Sequence, residues 1–155
     1  MTYQESIEEY AAGPGLLREA VENLSADQLD AVPVPGKWSV RQAVCHIADF
    51  EIVYADRIKR VLAEDEPTFF GGDPDQFAAG LAYGARKIDE ELAVVESIRA
   101  QVARILYTLS EPDFARLGHH NEAGPMSLGQ LLEGITEHLP HHVQAIHEKR
   151  TAMGV

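Results

Sequence analysis

At 155 residues, 45% hydrophobic and 25% charged, the chain is long and apolar enough to close a single core and too hydrophobic to stay disordered. Its 25 acidic residues against 13 basic ones give a net charge of −12, a field that repels phosphate backbones and argues against nucleic acid as a partner. No apolar run approaches the ~18 residues of a membrane span, no basic-then-apolar leader is visible, and one cysteine, Cys45, excludes an intrachain disulfide; the expectation is a single domain over 1–155, off the membrane, in a reducing cytoplasm.

Residues 2–24 carry Ile7, Tyr10, Leu16, Leu17, Ala20, Val21 and Leu24 at helical spacing, interrupted by Gly13-Pro14-Gly15. This predicts one helix, bent or broken at that point. Ser25 to Gln28 has the form of a capping box and predicts a short extra turn through Leu29. Residues 31–37 cannot be helical, because Pro33 and Pro35 hold their predecessors extended. A second long helix starts at Ser39, capped reciprocally with Gln42, and runs to about Glu64. Its apolar stripe is Val40, Ala43, Val44, Ile47, Tyr54, Ile58, Val61 and Leu62, with His46, Phe50 and Val53 along one flank.

Residues 65–80 form the longest predicted loop, aromatic enough to be packed down. A third helix is expected from Phe77 or Ala82 to Leu109, where Glu111-Pro112 ends it. Turn signals at Asn121 and Gly124-Pro125 fit a small hairpin within residues 114–126. A third capping box, Ser127 with Gln130, opens a last helix running to about Arg150. Four amphipathic helices and no convincing alternating strand predict an all-α fold, an antiparallel four-helix bundle. The long connection between the second and third helices leaves simple up-down-up-down wiring open.

Seven histidines are present, and helical projection separates them. His138 and His142 are four residues apart, inside the apolar stripe of Leu128, Leu131, Leu132, Ile135, Leu139 and Ile146. Imidazoles aimed at a core need hydrogen-bond partners or a metal ion, and this spacing lets two ring nitrogens reach one ion about 2.0–2.1 Å away. His46 joins them if the second and fourth helices are neighbours. Three imidazoles from two helices leave a fourth coordination position open, as catalytic zinc-type sites do. Spacing alone equally allows two core histidines bonded to carbonyls or carboxylates.

His141 and His147 project away from the stripe, and His119 and His120 fall in a turn, exposed or rimming a pocket. Asp49 and Glu51 read as solvent-facing charges, with orientation of a ligating imidazole as the alternative. Trp38 fits a hydrophobic staple or a plug at the bundle's end. Cys45 projects away from the stripe and is neither ligand nor nucleophile in this reading. Pro140 stands between the paired histidines, deletes a backbone donor and crowds the Thr136 carbonyl, so the helix is expected to kink there or break.

The run Trp38-Ser39-Val40-Arg41-Gln42-Ala43-Val44-Cys45-His46-Ile47-Ala48-Asp49 resembles the second-helix motif of the DinB/YfiT-like superfamily. Gly124-Pro125-Met126-Ser127-Leu128, followed by Glu137, His138, His142, Gln144 and Ile146, resembles its C-terminal motif. The order and spacing fit along nearly the whole chain. The resemblance implies a four-helix bundle of variant up-and-down topology that holds a divalent metal, zinc or nickel, at His46, His138 and His142. It also implies a homodimer and chemistry on a small electrophilic molecule. Relatives include S-transferases that use a low-molecular-weight thiol (bacillithiol, mycothiol or glutathione) and a maleylpyruvate isomerase. The expectation is therefore a metal-dependent transferase or hydrolase, with no nameable catalytic acid or base. A non-catalytic metal-binding stress-response module is the competing reading. Histidine ligation predicts metal affinity that weakens as pH falls through about 6.5.

Overall fold

The helix starts are written locally. Thr2, Ser25, Ser39 and Ser127 each accept a hydrogen bond from the backbone N–H three residues on, while their own N–H donates to the side chain of Glu5, Gln28, Gln42 or Gln130. In the computed structural model, which describes all 155 residues, the first three open α1 (Tyr3–Val21), α2 (Ala26–Asp30) and α3 (Val40–Ala63). A short α4 (Pro74–Gly80) and the long α5 (Ile88–Leu106) follow, and the fourth cap opens α6 (Leu128–Met153). Gly154, at φ 76°, ends α6 in the left-handed conformation that favours glycine.

The long helices form a four-helix bundle. α1 packs beside α5 and α6, and α3 packs beside the same two, so α1 faces α3 across one diagonal and α5 faces α6 across the other. The α1-to-α3 and α5-to-α6 connections therefore cross the bundle where a plain up-and-down arrangement would place those helices side by side, while α3 and α5 are neighbours. This wiring makes α3 and α6 neighbours, the condition for His46 to meet His138 and His142. No helix is long and apolar enough to cross a membrane.

The structure bears out some of these expectations and corrects others. α1 is continuous through Gly13-Pro14-Gly15. The predicted loop over 65–80 contains α4, capped by the Asp73 carboxylate, and a two-residue strand β1 (Thr68–Phe69). The third long helix begins only at Ile88, because Ala82 is left-handed (φ 55°) and Arg86 and Lys87 are extended; it ends at Leu106, three residues early. The hairpin forms from β2 (Leu117–His120) and β3 (Gly124–Ser127), and β1 adds to it in parallel, giving the order β1-β2-β3. α6 runs past Arg150 to Met153, and Pro140 does not break it.

The core has two apolar halves separated by a charged waist. One half gathers Ile7, Ile58, Val102, Leu106, Leu128 and Leu131; the other gathers Leu17, Val44, Ile47, Val95, Leu139 and Ile146. Between them Arg99 of α5, fully buried, donates to the Glu51 carboxylate of α3. It also donates to the Tyr10 carbonyl at 2.8 Å and the Ile135 carbonyl at 2.9 Å. Pro14 has no N–H to give the Tyr10 carbonyl four residues before it, and the guanidinium takes that place. Ile135 lies in the turn of α6 that leads into Pro140. Gly13 makes the approach possible, since a Cβ there would stand 2.4 Å from Arg99 Nη1. One arginine thus ties all four long helices together, and at Tyr10 it fills the acceptor that Pro14 leaves free.

Candidate metal centre

His46 lies in the second turn of α3, and its ring reaches across the α3–α6 seam. His138 and His142 stand one turn apart in the middle of α6. α6 continues as one helix through Pro140 although its ladder lacks that N–H, so both rings keep one face. The Nε2 of His46 is 2.9 Å from that of His138 and 3.1 Å from that of His142. One ligand atom from each of the three residues falls within 4.8 Å of the others. Three nitrogens on one four-coordinate zinc at 2.0–2.1 Å stand about 3.3–3.4 Å apart, so the triangle is close to the size such an ion needs.

Burial keeps these rings neutral. His46 is only 4% exposed, and loss of hydration pushes its pKa down to about 4 against a weaker opposing pull from Asp49. His138 is pushed down to about 3 by burial first, then by His142, His46, Arg99 and His141. His142 falls to about 4 for the same leading reason, helped by His46, His141 and Lys149. The folded site is therefore deprotonated well below pH 6.5, and the window expected for proton competition moves down to about pH 4.

Hydrogen bonding satisfies the cluster poorly. A neutral imidazole has one N–H and one lone pair, so His46 Nε2–H can serve both neighbours only by leaving its own Nδ1 lone pair without a donor. Nδ1 of His46 and Nδ1 of His138 are both buried without a hydrogen-bond partner. Three converging neutral imidazoles are, by contrast, a good donor set for zinc or another borderline divalent ion. The residues fit a metal better than they fit one another.

The surroundings correct the sequence reading of the acidic residues. Asp49 and Glu51 are buried, not solvent-facing, and neither orients an imidazole. Asp49 accepts two bonds from Arg86, at 2.8 and 3.0 Å, and Arg86 also pairs with Glu91. Glu51 belongs to the waist. Helical projection could not show this, because it does not say which basic residue another helix brings.

The wall of the site is aromatic. The Trp38 ring centre lies 4.9 Å from that of His46, and Phe50 lies 4.7 Å from it on another side. Phe77, carried by α4, stacks obliquely on Phe50 at 5.2 Å. Trp38 is thus a wall residue of the site as well as the residue before the α3 cap. Phe77 was hidden by the assignment of its segment to a loop; Pro74 after Asp73 was the available signal of a helix start.

The other candidates lie outside the cluster, although the His141 ring packs edge-on against that of His142 at 5.2 Å. His141 and His147 are exposed. His119 pairs with Glu66 at 3.1 Å, and His120 Nδ1 accepts the Glu122 and Ala123 amides at the hairpin turn. Cys45 is fully buried against the Tyr83 carbonyl, and burial pushes its thiol up to about 11, which leaves it a packing residue.

Comparison with known proteins identifies the family and the fold. A model of the DinB superfamily matches residues 9–146. A Bacillus licheniformis protein named as a candidate metal-dependent hydrolase is 35% identical over 144 residues, covering 91% of this chain and 81% of its own. An Oceanobacillus iheyensis protein with the same kind of name is 30% identical over 133 residues, covering 86% and 77%. Among solved structures, YfiT from Bacillus subtilis superposes with a TM-score of 0.92 at 27% identity, over 98% of this chain and 87% of that one. It is described as a candidate metal-dependent hydrolase with an unusual four-helix bundle topology.

Proposed function

The chain belongs to the DinB superfamily, and from that premise we propose that it is a divalent-metal-dependent hydrolase of small molecules, with His46, His138 and His142 as the ligands. One observation carries the reading: three neutral imidazoles, His46 buried and His138 and His142 partly buried, converge with Nε2 separations of 2.9 and 3.1 Å and too few protons to satisfy one another. The names of the relatives support hydrolysis and a metal without fixing the ion; the donor set suits zinc or nickel.

A bound ion supplies Lewis acidity and a lowered pKa for whatever water or thiol it binds. The protein's own residues do the rest. α3 and α6 hold the three nitrogens on one side, leaving the opposite side to substrate. Trp38, Phe50 and Phe77 keep that side apolar, which strengthens electrostatic effects at the reacting centre. Arg99 fixes α6 in the turn just before His138, so the ligand pair starts from a rigid base.

Thiol transfer needs the same ion and differs only in the nucleophile, so the assay should separate the two. Protein purified without a histidine tag should contain one divalent ion per chain by elemental analysis. It should turn over activated esters or amides, lose that activity on chelation and regain it with metal. Turnover that requires an added small thiol would make it a transferase. An ion that raises the melting temperature without supporting turnover would make it a metal-binding module, and far less than one ion per chain would sink the metal reading.

A further inference from the structure

A cavity of about 400 Å³ lies in the groove between α1 and α6, away from the histidines. Tyr3, Ser6 and Glu9 line it from successive turns of α1. Glu133, Thr136 and Glu137 line it from α6, and Glu133 is about 180° round that helix from His142. No lysine, arginine or histidine lines it; the amino terminus, on Met1, stands at its mouth, where Met1 is 83% exposed.

Thr136 makes this cavity more than an acidic patch. The residue is 6% exposed, and its Oγ1 is buried with no hydrogen-bond partner. The helix donor for its carbonyl would come from residue 140, and Pro140 has no N–H. Around it, Glu9, Glu133 and Glu137 are exposed, and none of the three forms an ion pair. Glu133 and Glu137 are four residues apart on one helix, where like charges repel. A buried oxygen without a donor, beneath carboxylates without a cation, fits a ligand that is both donor and cation.

The spacing of the carboxylates selects among cations. In this protein only the three histidines bring ligand atoms close enough together to share one ion, so Glu9, Glu133 and Glu137 do not close on a single metal. Glu133 and Glu137 stand about 5–6 Å apart along α6, close to the separation of two ammonium groups on a chain of about four carbons. We propose that the cavity binds an aliphatic diammonium ion. One ammonium donates to Thr136 Oγ1 and the Glu137 carboxylate, the other pairs with Glu133, and Glu9 closes the groove from α1. Tyr3, its ring stacked on Phe114 at 4.0 Å, is a fixed wall for the carbon chain. The site is separate from the histidine cluster and does not depend on the metal-dependent reading.

The full-length protein is titrated calorimetrically, at constant ionic strength, with 1,4-diaminobutane, butylamine and magnesium chloride. The diamine should bind one per chain, about tenfold more tightly than either of the others. Thr136→Val, which keeps the side-chain volume, should weaken the diamine about tenfold without lowering the melting temperature, because the lost hydroxyl leaves no partner behind. Glu133→Gln and Glu137→Gln should each weaken it similarly, whereas Glu19→Gln, exposed elsewhere on α1, should change nothing. Magnesium binding as tightly as the diamine would mean general attraction to a chain of charge −12 and would overturn the proposal. It is equally overturned by no saturable diamine binding up to about 10 mM, or by affinity that survives both Thr136→Val and the paired glutamine substitutions. Affinity lost in His138→Ala instead would place the amine at the histidines and overturn it as well.

Discussion

The protein buries two polar clusters within the same bundle, and they are built on opposite plans. At the waist, the Arg99 guanidinium meets a carboxylate and two carbonyls and lies 4.5 Å from the Tyr10 ring centre. At the histidine cluster, three rings converge on a point where none finds a full partner. Both sets of groups lose hydration; the first is largely compensated within the chain, with Glu51 Oε2 alone in the ion pair left buried without a partner. Buried polarity that is satisfied holds a fold together, whereas buried polarity that converges unsatisfied is prepared for something that comes from outside.

Removing the guanidinium tests the first half of that contrast most severely. Arg99→Met should destabilise the protein by about 3–5 kcal/mol in urea unfolding, because Glu51 is then left as an uncompensated buried charge. Adding Glu51→Leu should recover most of the loss. A loss under about 1 kcal/mol for Arg99→Met would show that the waist is not the tie it resembles.

At the histidine cluster the expected effect falls on metal rather than on folding. His138→Ala should weaken zinc binding about 100-fold or more, while His141→Ala, one residue further along α6 but exposed, should leave it unchanged. Equal losses in calorimetric titration would place the ligands on the wrong face.

Acid should separate the clusters too. The folded pKa values of the three histidines, about 3 to 4, lie below the ordinary value near 6.5. Below pH 6.5 the unfolded chain therefore takes up protons that the folded chain refuses. The stability contributed by these histidines in the metal-free protein should hold above pH 6.5, decline as pH falls, and level off only below about pH 3. His138→Gln should flatten that decline in a series of thermal melts, and an unchanged slope would contradict the burial argument.

The smallest effect expected is at Gly13. Gly13→Ala gains helix propensity, about 1 kcal/mol, but its methyl would have to displace the Arg99 fork. A net loss of about 1–2 kcal/mol should follow. A stabilised variant would mean that the guanidinium moves aside at little cost.

How far the sequence reveals these features follows from the range of each interaction. Capping boxes are read within four residues, so the starts of α2, α3 and α6 are legible; Thr2 with Glu5 had the same form and opens α1. The inward placement of His46, His138 and His142 follows from helical period plus one condition, that α3 and α6 touch. The waist is not legible in that way. Arg99 reads as a charge on α5, Glu51 as a charge on α3, and Pro14 as a break in α1. Only the diagonal wiring brings them within 3 Å and turns an apparent helix breaker into a vacancy that an arginine fills. The late start of α5 has a similar cause: a helical-looking run was overruled by one left-handed residue, Ala82.

The wiring also bears on synthesis. α6 packs against both α1 and α3 and brings two of the three converging histidines, yet the ribosome makes it after α1, α3 and α5. Until then, α1, α3 and α5 emerge with their α6-facing sides uncovered, and His46 stands alone. The nascent chain can hold neither its finished core nor the three-histidine cluster before α6 is released, so the cluster is assembled only as the bundle closes. A chain truncated before residue 128 should be insoluble, whatever metal is supplied.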